Sequence, residues 1–177
     1  MIICVTGKFG SGKTTVSKLL GFKAVNADYI GKKVFDKKKE EIKKLLGTLD
    51  KGKIRKKIFS DKRLLKRFNA IAHPEMIKII KYEIRKNKGK NIVVDAALHY
   101  DLKLRDICDK IILVKRDKEK IIKTSKMSRK ETEKIIRNQR IPKKADFVII
   151  NNRSKEELKR KVAKIINILS SKRFLNN

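Results

Sequence analysis

The sequence contains little cysteine, no tryptophan and few acidic residues. Cys4 and Cys108 are its two cysteines and lie far apart in the 177-residue chain, so we expect neither a disulfide framework nor a cysteine-rich metal site. This use of cysteine predicts a protein of the reducing cytoplasm. Apolar runs are short, and none approaches the length of a membrane span or of a signal-peptide core, which predicts a soluble protein without a membrane partner.

Basic residues dominate the charged ones. Fifty Lys and Arg against nineteen Asp and Glu give a formal net charge of +31. This charge is typical of proteins that bind nucleic acids, membrane surfaces or polyphosphate ligands, and it also fits a proteome-wide lysine bias. The aromatic residues are scattered, without the cluster that stacks on single-stranded nucleic acid. We therefore do not expect a nucleic-acid partner, despite the charge.

Short apolar segments alternate with amphipathic segments of helical period. Strands are predicted at residues 2–5, 24–25, 91–95, 110–114 and 147–150, the last of them buried. The alternation predicts an α/β fold with a parallel sheet of about five strands, which binds ligands at the carboxyl ends of its strands. A helix over residues 61–84 should break or kink at His73-Pro74, and residues 32–46 are predicted to be helical.

A glycine-rich loop separates the first strand from the first helix. Residues 7–14 match the pattern G-x-x-x-x-G-K-[ST] in this context, which predicts a P-loop. Lys13 would reach the β and γ phosphate oxygens of ATP, and Thr14 would bind Mg²⁺. The alternative is a Gly-Ser turn that leads into a helix. The predicted nucleotide-binding residues are Lys8, Phe9, Gly10, Ser11, Gly12, Lys13, Thr14 and Thr15.

Two aspartates follow predicted strands. Asp95 ends an apolar strand, where its carboxylate could bind Mg²⁺ or cap the turn that follows. Asp28 follows the second strand, which we expect to lie next to the P-loop strand. There it could accept a proton from a hydroxyl that attacks the γ-phosphate, although an Asp at this position more often caps a helix, here one that begins at Tyr29.

A strongly basic segment lies between residues 115 and 144, with thirteen basic and four acidic residues in two short helical stretches. One explanation is a kinase lid, which brings cations onto the transferred phosphoryl group and excludes water. The alternative is a solvated basic face. The candidate phosphate contacts in this segment are Lys123, Lys126, Arg137 and Arg140.

Seven ordered segments resemble motifs of the dephospho-CoA kinase family, at residues 5–16, 26–30, 49–61, 73–74, 95–100, 139 and 145–151. The resemblance implies a three-layer, adenylate-kinase-like P-loop NTPase core at about 1–31, 89–116 and 142–172. It also implies a helical CoA-binding insertion at about 32–88 and a small helical lid at about 117–141. Asn26, Ala97 and Ile135 stand where the family has aspartate, proline and arginine.

The reaction that the resemblance implies is the last step of coenzyme A biosynthesis. The ribose 3′-hydroxyl of dephospho-CoA would attack the γ-phosphate of ATP with Mg²⁺ as cofactor and with Asp28 and Lys13 as catalytic residues. The other residues implied are Asp95 with Thr14 at the metal, Asn151 near adenine, and Thr6, His73, Ala97 and Leu98 at the substrate. We expect a monomer or weak homo-oligomer. Another small-molecule P-loop kinase of nucleoside or nucleotide type, or a basic nucleic-acid-associated NTPase, stays open as an alternative.

Overall fold

The computed structural model describes residues 1–97, 102 and 104–174. Within these residues one sheet contains five strands in the order β2-β3-β1-β4-β5. The pairs β1–β3, β1–β4 and β4–β5 are parallel, so the predicted α/β fold with about five strands is confirmed. The strands are β1 (Ile2–Thr6), β2 (Lys23–Asn26), β3 (Ile92–Asp95), β4 (Lys110–Lys115) and β5 (Phe147–Ile150).

The order of the strands corrects one prediction. We expected β2 to lie beside the P-loop strand β1, but β3 takes that position and β2 is an edge strand. All four residues of β3 are buried, whereas Lys23 and Ala24 of β2 are exposed. A strand that is buried on both faces suits the middle of a parallel sheet, and a short strand with exposed residues suits its edge.

Helices connect and cover the strands. In the described part of the chain, no helix is both long enough and apolar enough to cross a membrane. The chain divides into two compact units, Met1–Val25 with Gly89–Asn177 and Asn26–Lys88. The helices are α1 (Lys13–Leu19), α2 (Ala27–Lys37), α3 (Lys39–Leu46), α4 (Lys51–Ser60), α5 (Lys62–Lys86), α6 (Lys118–Thr124), α7 (Arg129–Asn138) and α8 (Lys155–Phe174), with a short 3-10 helix at Leu104–Ile107.

The core of the first unit lies between one face of the sheet and the helices α1 and α8. Side chains of the central strands pack there against Val16 and Leu20 of α1 and against the apolar residues of α8. Alternate residues of the same strands, such as Cys4 and Val94, point to the opposite face and are also buried. The sheet is therefore covered on both faces, which fixes the carboxyl ends of the strands as the accessible edge for ligands.

Strand β5 is less buried than predicted. Ile149 is 1% exposed, but Val148 and Ile150 are 52% and 54% exposed. β5 forms the edge of the sheet beyond β4, so only one of its faces packs on the core.

Asp146 attaches the start of β5 to the start of β4. Its carboxylate accepts hydrogen bonds from the backbone N–H of Ile111 at 2.8 Å and from the ammonium of Lys110 at 3.2 Å. Burial raises the pKa of this carboxyl group, but the hydrogen bonds from Ile111 and Lys110, together with the positive charges of Lys110 and Arg105, lower it by more, so that the pKa of Asp146 lies below its usual value.

The second unit consists of helices α2 to α5 around a small apolar cluster of its own, which includes Ile42, Leu46 and Ile54. The predicted helix over 32–46 is divided into α2 and α3 at Lys38. Of the predicted break or kink at His73-Pro74, the break is wrong, since α5 runs unbroken through this residue. Ala72, Met76 and Ile80 are buried on both sides of Pro74, and this packing offsets the backbone hydrogen bond that proline removes.

The two cysteines correct another prediction. Cys4 and Cys108 form a disulfide across 104 residues of sequence, with Cα atoms 5.8 Å apart. Cys4 lies in β1, and Cys108 lies just before β4, which pairs with β1. The backbone N–H of Asp109 also donates to the carbonyl of Ile2. Strand pairing thus brings together two residues whose distance in sequence gave no sign of contact.

Candidate active site

The P-loop follows β1 and leads into α1. The backbone N–H of Ser11 donates to the carbonyl of Lys8 at 3.1 Å, which closes a tight turn at the tip of the loop. The ammonium of Lys13 lies 3.4 Å from the same carbonyl. Lys13 is only 8% exposed, so the loop holds a buried positive charge at the amino-terminal end of a helix, an arrangement suited to phosphate.

Two glycines allow the loop to approach the ends of neighbouring strands. Gly12 has a φ of 94°, and a Cβ atom there would collide with the side-chain amide of Asn151. A Cβ atom on Gly7, with a φ of 154°, would collide with the carbonyl of Val114. Any other residue at position 7 would push the loop away from the backbone of β4, and at position 12 it would displace the side chain of Asn151.

Thr14 and Asp95 lie together at the start of α1 and the end of β3. The hydroxyl of Thr14 donates to a carboxylate oxygen of Asp95 at 2.7 Å, and Asp95 is only 4% exposed. A hydroxyl oxygen and a carboxylate are hard oxygen ligands of the kind that Mg²⁺ prefers. The hydroxyl keeps lone pairs while its proton is donated, so this pair fits a Mg²⁺ ion. The contact to Thr14 also explains how a carboxylate is accommodated at the end of an apolar strand.

Asn151 contacts the P-loop. Its side-chain N–H donates to the carbonyl of Ser11 at 2.9 Å, and its backbone N–H donates to Lys115 in β4 at 2.8 Å. The resemblance placed this residue near adenine, and the structure places its amide on the loop that would hold the phosphates. The next residue, Asn152, accepts a hydrogen bond from the backbone N–H of Asp117 and another from Lys120.

Polar side chains of the 115–144 segment contact the P-loop. Gln139, at the end of α7, accepts a hydrogen bond from the backbone N–H of Phe9 at 2.6 Å. Arg116, directly after β4, places its guanidinium 3.4 Å from the carbonyl of Gly10. The sequence interpretation missed Arg116, although its position just past the carboxyl end of a central strand is a signal that could have identified it.

The four cations named from sequence lie elsewhere on this segment. Lys123 belongs to α6, Lys126 to the connection that follows, Arg137 to α7, and Arg140 follows α7. All four are exposed.

A cavity of about 370 Å³ adjoins the P-loop. Apolar side chains from β4, β5 and the segment after α7 form part of its wall, and Arg116 and Lys8 bring positive charge to it. Its lining residues are Lys8, Ser11, Val114, Lys115, Arg116, Asp117, Ile141, Ile150 and Asn152.

The predicted substrate residues occupy different environments. Thr6 is fully buried at the end of β1, and no described residue accepts or donates a hydrogen bond at its hydroxyl. Ala97 is buried just after β3, and Leu98 lies outside the described residues. In the helical unit, His73 is half-buried in α5.

Asp28 is the second residue of α2 and is exposed. The helix is capped by Asn26, whose side chain accepts from the backbone N–H of Tyr29 at 2.8 Å. The capping role that we considered for Asp28 is therefore performed by Asn26.

The family model described as CoaE, dephospho-CoA kinase, matches residues 1–157. The chain belongs to the dephospho-CoA kinase family. A dephospho-CoA kinase of Fusobacterium nucleatum is 40% identical over 92% of this chain and 95% of that protein. One from Borreliella burgdorferi is 38% identical, over 70% of this chain and 65% of its own length.

Among solved structures, a protein from Thermus thermophilus titled TT1252 superimposes with a TM-score of 0.82. It is 26% identical and aligns over 95% of this chain and 96% of its own. The predicted family and kinase fold are thus confirmed. In this dephospho-CoA kinase family member, residues of β3, β4 and β5 meet the P-loop at one edge of the sheet.

Proposed function

We propose that the protein transfers the γ-phosphoryl group of ATP to the ribose 3′-hydroxyl of dephospho-CoA, giving CoA and ADP as the last step of coenzyme A biosynthesis. The observation that carries the proposal is the contact between Thr14 of the P-loop and the buried Asp95, in a chain that belongs to the dephospho-CoA kinase family. A P-loop alone would support only phosphate binding.

The phosphates of ATP would lie in the P-loop, surrounded by the ammonium of Lys13 and by those backbone N–H groups of residues 8–15 that are not bonded to Gln139 or to the carbonyl of Lys8. Thr14 and Asp95 would hold Mg²⁺, which when bound neutralises charge on the phosphate oxygens. The ammonium of Lys13 lies 3.4 Å from the carbonyl of Lys8 in the same loop, where its charge can stabilise the negative phosphate oxygens.

The nucleobase would occupy the cavity of about 370 Å³ beside the loop. Val114, Ile141 and Ile150 give it apolar surface for a purine, and the planar guanidinium of Arg116 can stack on an aromatic ring. In this proposal Asn151 serves the nucleotide indirectly, because its amide holds the carbonyl of Ser11.

The acceptor-binding residues that the family resemblance implies are Thr6, His73, Ala97 and Leu98. The 3′-oxygen would form a bond to the γ-phosphorus while the bond from that phosphorus to the β,γ-bridging oxygen breaks, and ADP leaves. Asp28 would accept the hydroxyl proton. Its exposure supports this role, since its carboxylate is accessible to a substrate.

The proposal includes cytoplasmic location and a monomer or weak homo-oligomer that needs no nucleic acid. Sedimentation of the purified protein tests its oligomeric state. RNA-stimulated ATP hydrolysis that weakens steeply with salt would instead support a nucleic-acid-associated NTPase.

The decisive experiment measures ADP release with Mg²⁺ and ATP across a set of acceptors: dephospho-CoA, nucleosides, nucleotides and shikimate. Asp28→Asn should lower turnover of dephospho-CoA by about 10²-fold or more while nucleotide binding is retained, because a general base contributes about 10²–10⁴-fold. Asp36→Asn changes an exposed aspartate of the same helix and is the matched control. A preference for another acceptor would contradict the proposed reaction. Unchanged turnover by Asp28→Asn would contradict the role of Asp28 as the base.

A further inference from the structure

Gln139 makes a contact that the proposed chemistry does not use. Its side-chain carbonyl accepts a hydrogen bond of 2.6 Å from the backbone N–H of Phe9, although the two residues are 130 positions apart in sequence. Phe9 lies inside the turn that the hydrogen bond from Ser11 to Lys8 closes. The glutamine thus reaches the tip of the phosphate-binding loop itself.

The helices that carry Gln139 form a well-connected pair. A capping box between Ser128 and Glu131 begins α7, and the buried Thr132 donates to Ser125 at 2.8 Å in the connection to α6. An ion pair of 2.8 Å joins Lys118 of α6 to Glu133 of α7. Because these contacts hold α6 and α7 together, the hydrogen bond from Phe9 to Gln139 positions both helices relative to the P-loop.

A second contact supports the same arrangement. Arg116, at the entrance to α6, lies near the carbonyl of Gly10 at 3.4 Å and near Thr124 of α6 at the same distance. Phe9 is therefore contacted by Gln139, near the end of the segment that contains α6 and α7, and Gly10 by Arg116, the residue just before this segment. We define this segment, residues 117–141, as the lid.

We propose that Gln139 is a positioning residue that docks the lid on the tip of the P-loop. Docking holds the lid helices beside the γ-phosphate position and limits access of water to it, which favours transfer to the acceptor over hydrolysis. Gln139 takes no part in bond making. The choice of side chain fits this role, because a neutral amide oxygen can accept from Phe9 without repelling the phosphates, whereas a carboxylate there would repel them.

The test compares Gln139→Ala and Gln139→Glu with Asn138→Ala, which truncates an exposed amide side chain one residue earlier on α7. For each protein we would measure the dissociation constant of a fluorescent ATP analogue, ATP hydrolysis without acceptor, phosphoryl transfer to dephospho-CoA, and thermal unfolding. Gln139→Ala should raise the ratio of hydrolysis to transfer by about three- to tenfold, the range that one lost hydrogen bond corresponds to. Its melting temperature should lie no more than about 1–6 °C below that of Asn138→Ala, the shift that one lost hydrogen bond produces in a domain of this size.

Gln139→Glu should keep the contact to Phe9 but weaken binding of the nucleotide by a few-fold, and added salt should reduce this difference because it screens the charge. A ratio of hydrolysis to transfer in Gln139→Ala equal to that of Asn138→Ala would overturn the proposal.

The measurement of phosphoryl transfer to dephospho-CoA rests on the proposed function, whereas the measurements of nucleotide binding and of acceptor-free hydrolysis do not. If the wild type fails to phosphorylate dephospho-CoA, the proposed function falls. In that case a higher rate of acceptor-free hydrolysis in Gln139→Ala than in Asn138→Ala supports the docking role, and equal rates overturn it.

Discussion

Replacing Thr14 by valine tests the contact on which the proposed metal site depends. Valine keeps the branched shape but removes the hydroxyl that donates to Asp95 at 2.7 Å. A hydrogen bond to a charged group contributes about 1.5–3 kcal/mol. Because Thr14 is itself exposed, we expect a loss of stability of about 1–2 kcal/mol, which corresponds to a fall in melting temperature of about 2–8 °C for a domain of this size.

The metal gives a second and independent readout. In wild type, Mg²⁺ should tighten binding of ATP, and Thr14→Val should remove most of this effect. Thr14→Ser keeps the hydroxyl and should retain both stability and the response to Mg²⁺. A double-mutant cycle with Asp95→Asn should show coupling in unfolding free energy, since the two side chains share one hydrogen bond.

The assay combines thermal unfolding with calorimetric titration of ATP at several concentrations of Mg²⁺. If Thr14→Val and Thr14→Ser respond equally to Mg²⁺, the hydroxyl does not bind the metal. If Thr14→Val and Asp95→Asn are additive in stability, the hydrogen bond has no energetic significance.

Two further predictions concern the carboxyl and amino ends of β5. Asn151→Ala should lower the unfolding free energy by about 1–3 kcal/mol, because the carbonyl of the buried Ser11 loses its donor, and it should also weaken nucleotide binding. Chemical denaturation would measure the first effect and nucleotide titration the second. Nucleotide binding equal to that of the wild type would contradict a role of Asn151 in holding the loop. Asp146→Asn should destabilise the protein above about pH 5, and the difference from wild type should disappear as the pH falls below about 4. The reason is that a carboxyl group whose pKa is lowered by folding stabilises the folded protein only while it is ionised. A difference in stability between Asp146→Asn and wild type that persists in acid would show that packing, not charge, is responsible.

The sequence predicts best what depends on neighbouring residues. The P-loop is read from eight consecutive positions, because a turn that leads into a helix is determined by local backbone geometry. Asp95 was identified for a similar reason: a carboxylate at the end of an apolar run needs a polar partner, although the run does not say that the partner is Thr14.

Features that depend on the order of the strands could not be predicted from neighbouring residues in the sequence. β3, not β2, lies beside β1, and this order places Asp95 beside the end of the P-loop strand. The same order brings Cys108 to Cys4 and Asn151 to Ser11. Composition identified the 115–144 segment as basic, but it did not indicate the contacts that Arg116 and the neutral Gln139 make with the P-loop.

The lid is attached near both of its ends. At its start, Asn152 accepts from Asp117 and Lys120, and near its end Gln139 accepts from Phe9. Insertions or deletions in the connection between α6 and α7 would leave both attachments in place, and the entropy of closing such a loop changes only slowly with its length. Related chains could therefore differ widely in the size of this segment and still present the same two ends to the nucleotide. An insertion or deletion at Asn151 and Asn152 would disturb the P-loop and the lid together, because these neighbouring residues contact one each. Variation in length should therefore be found within the lid and not at the end of β5.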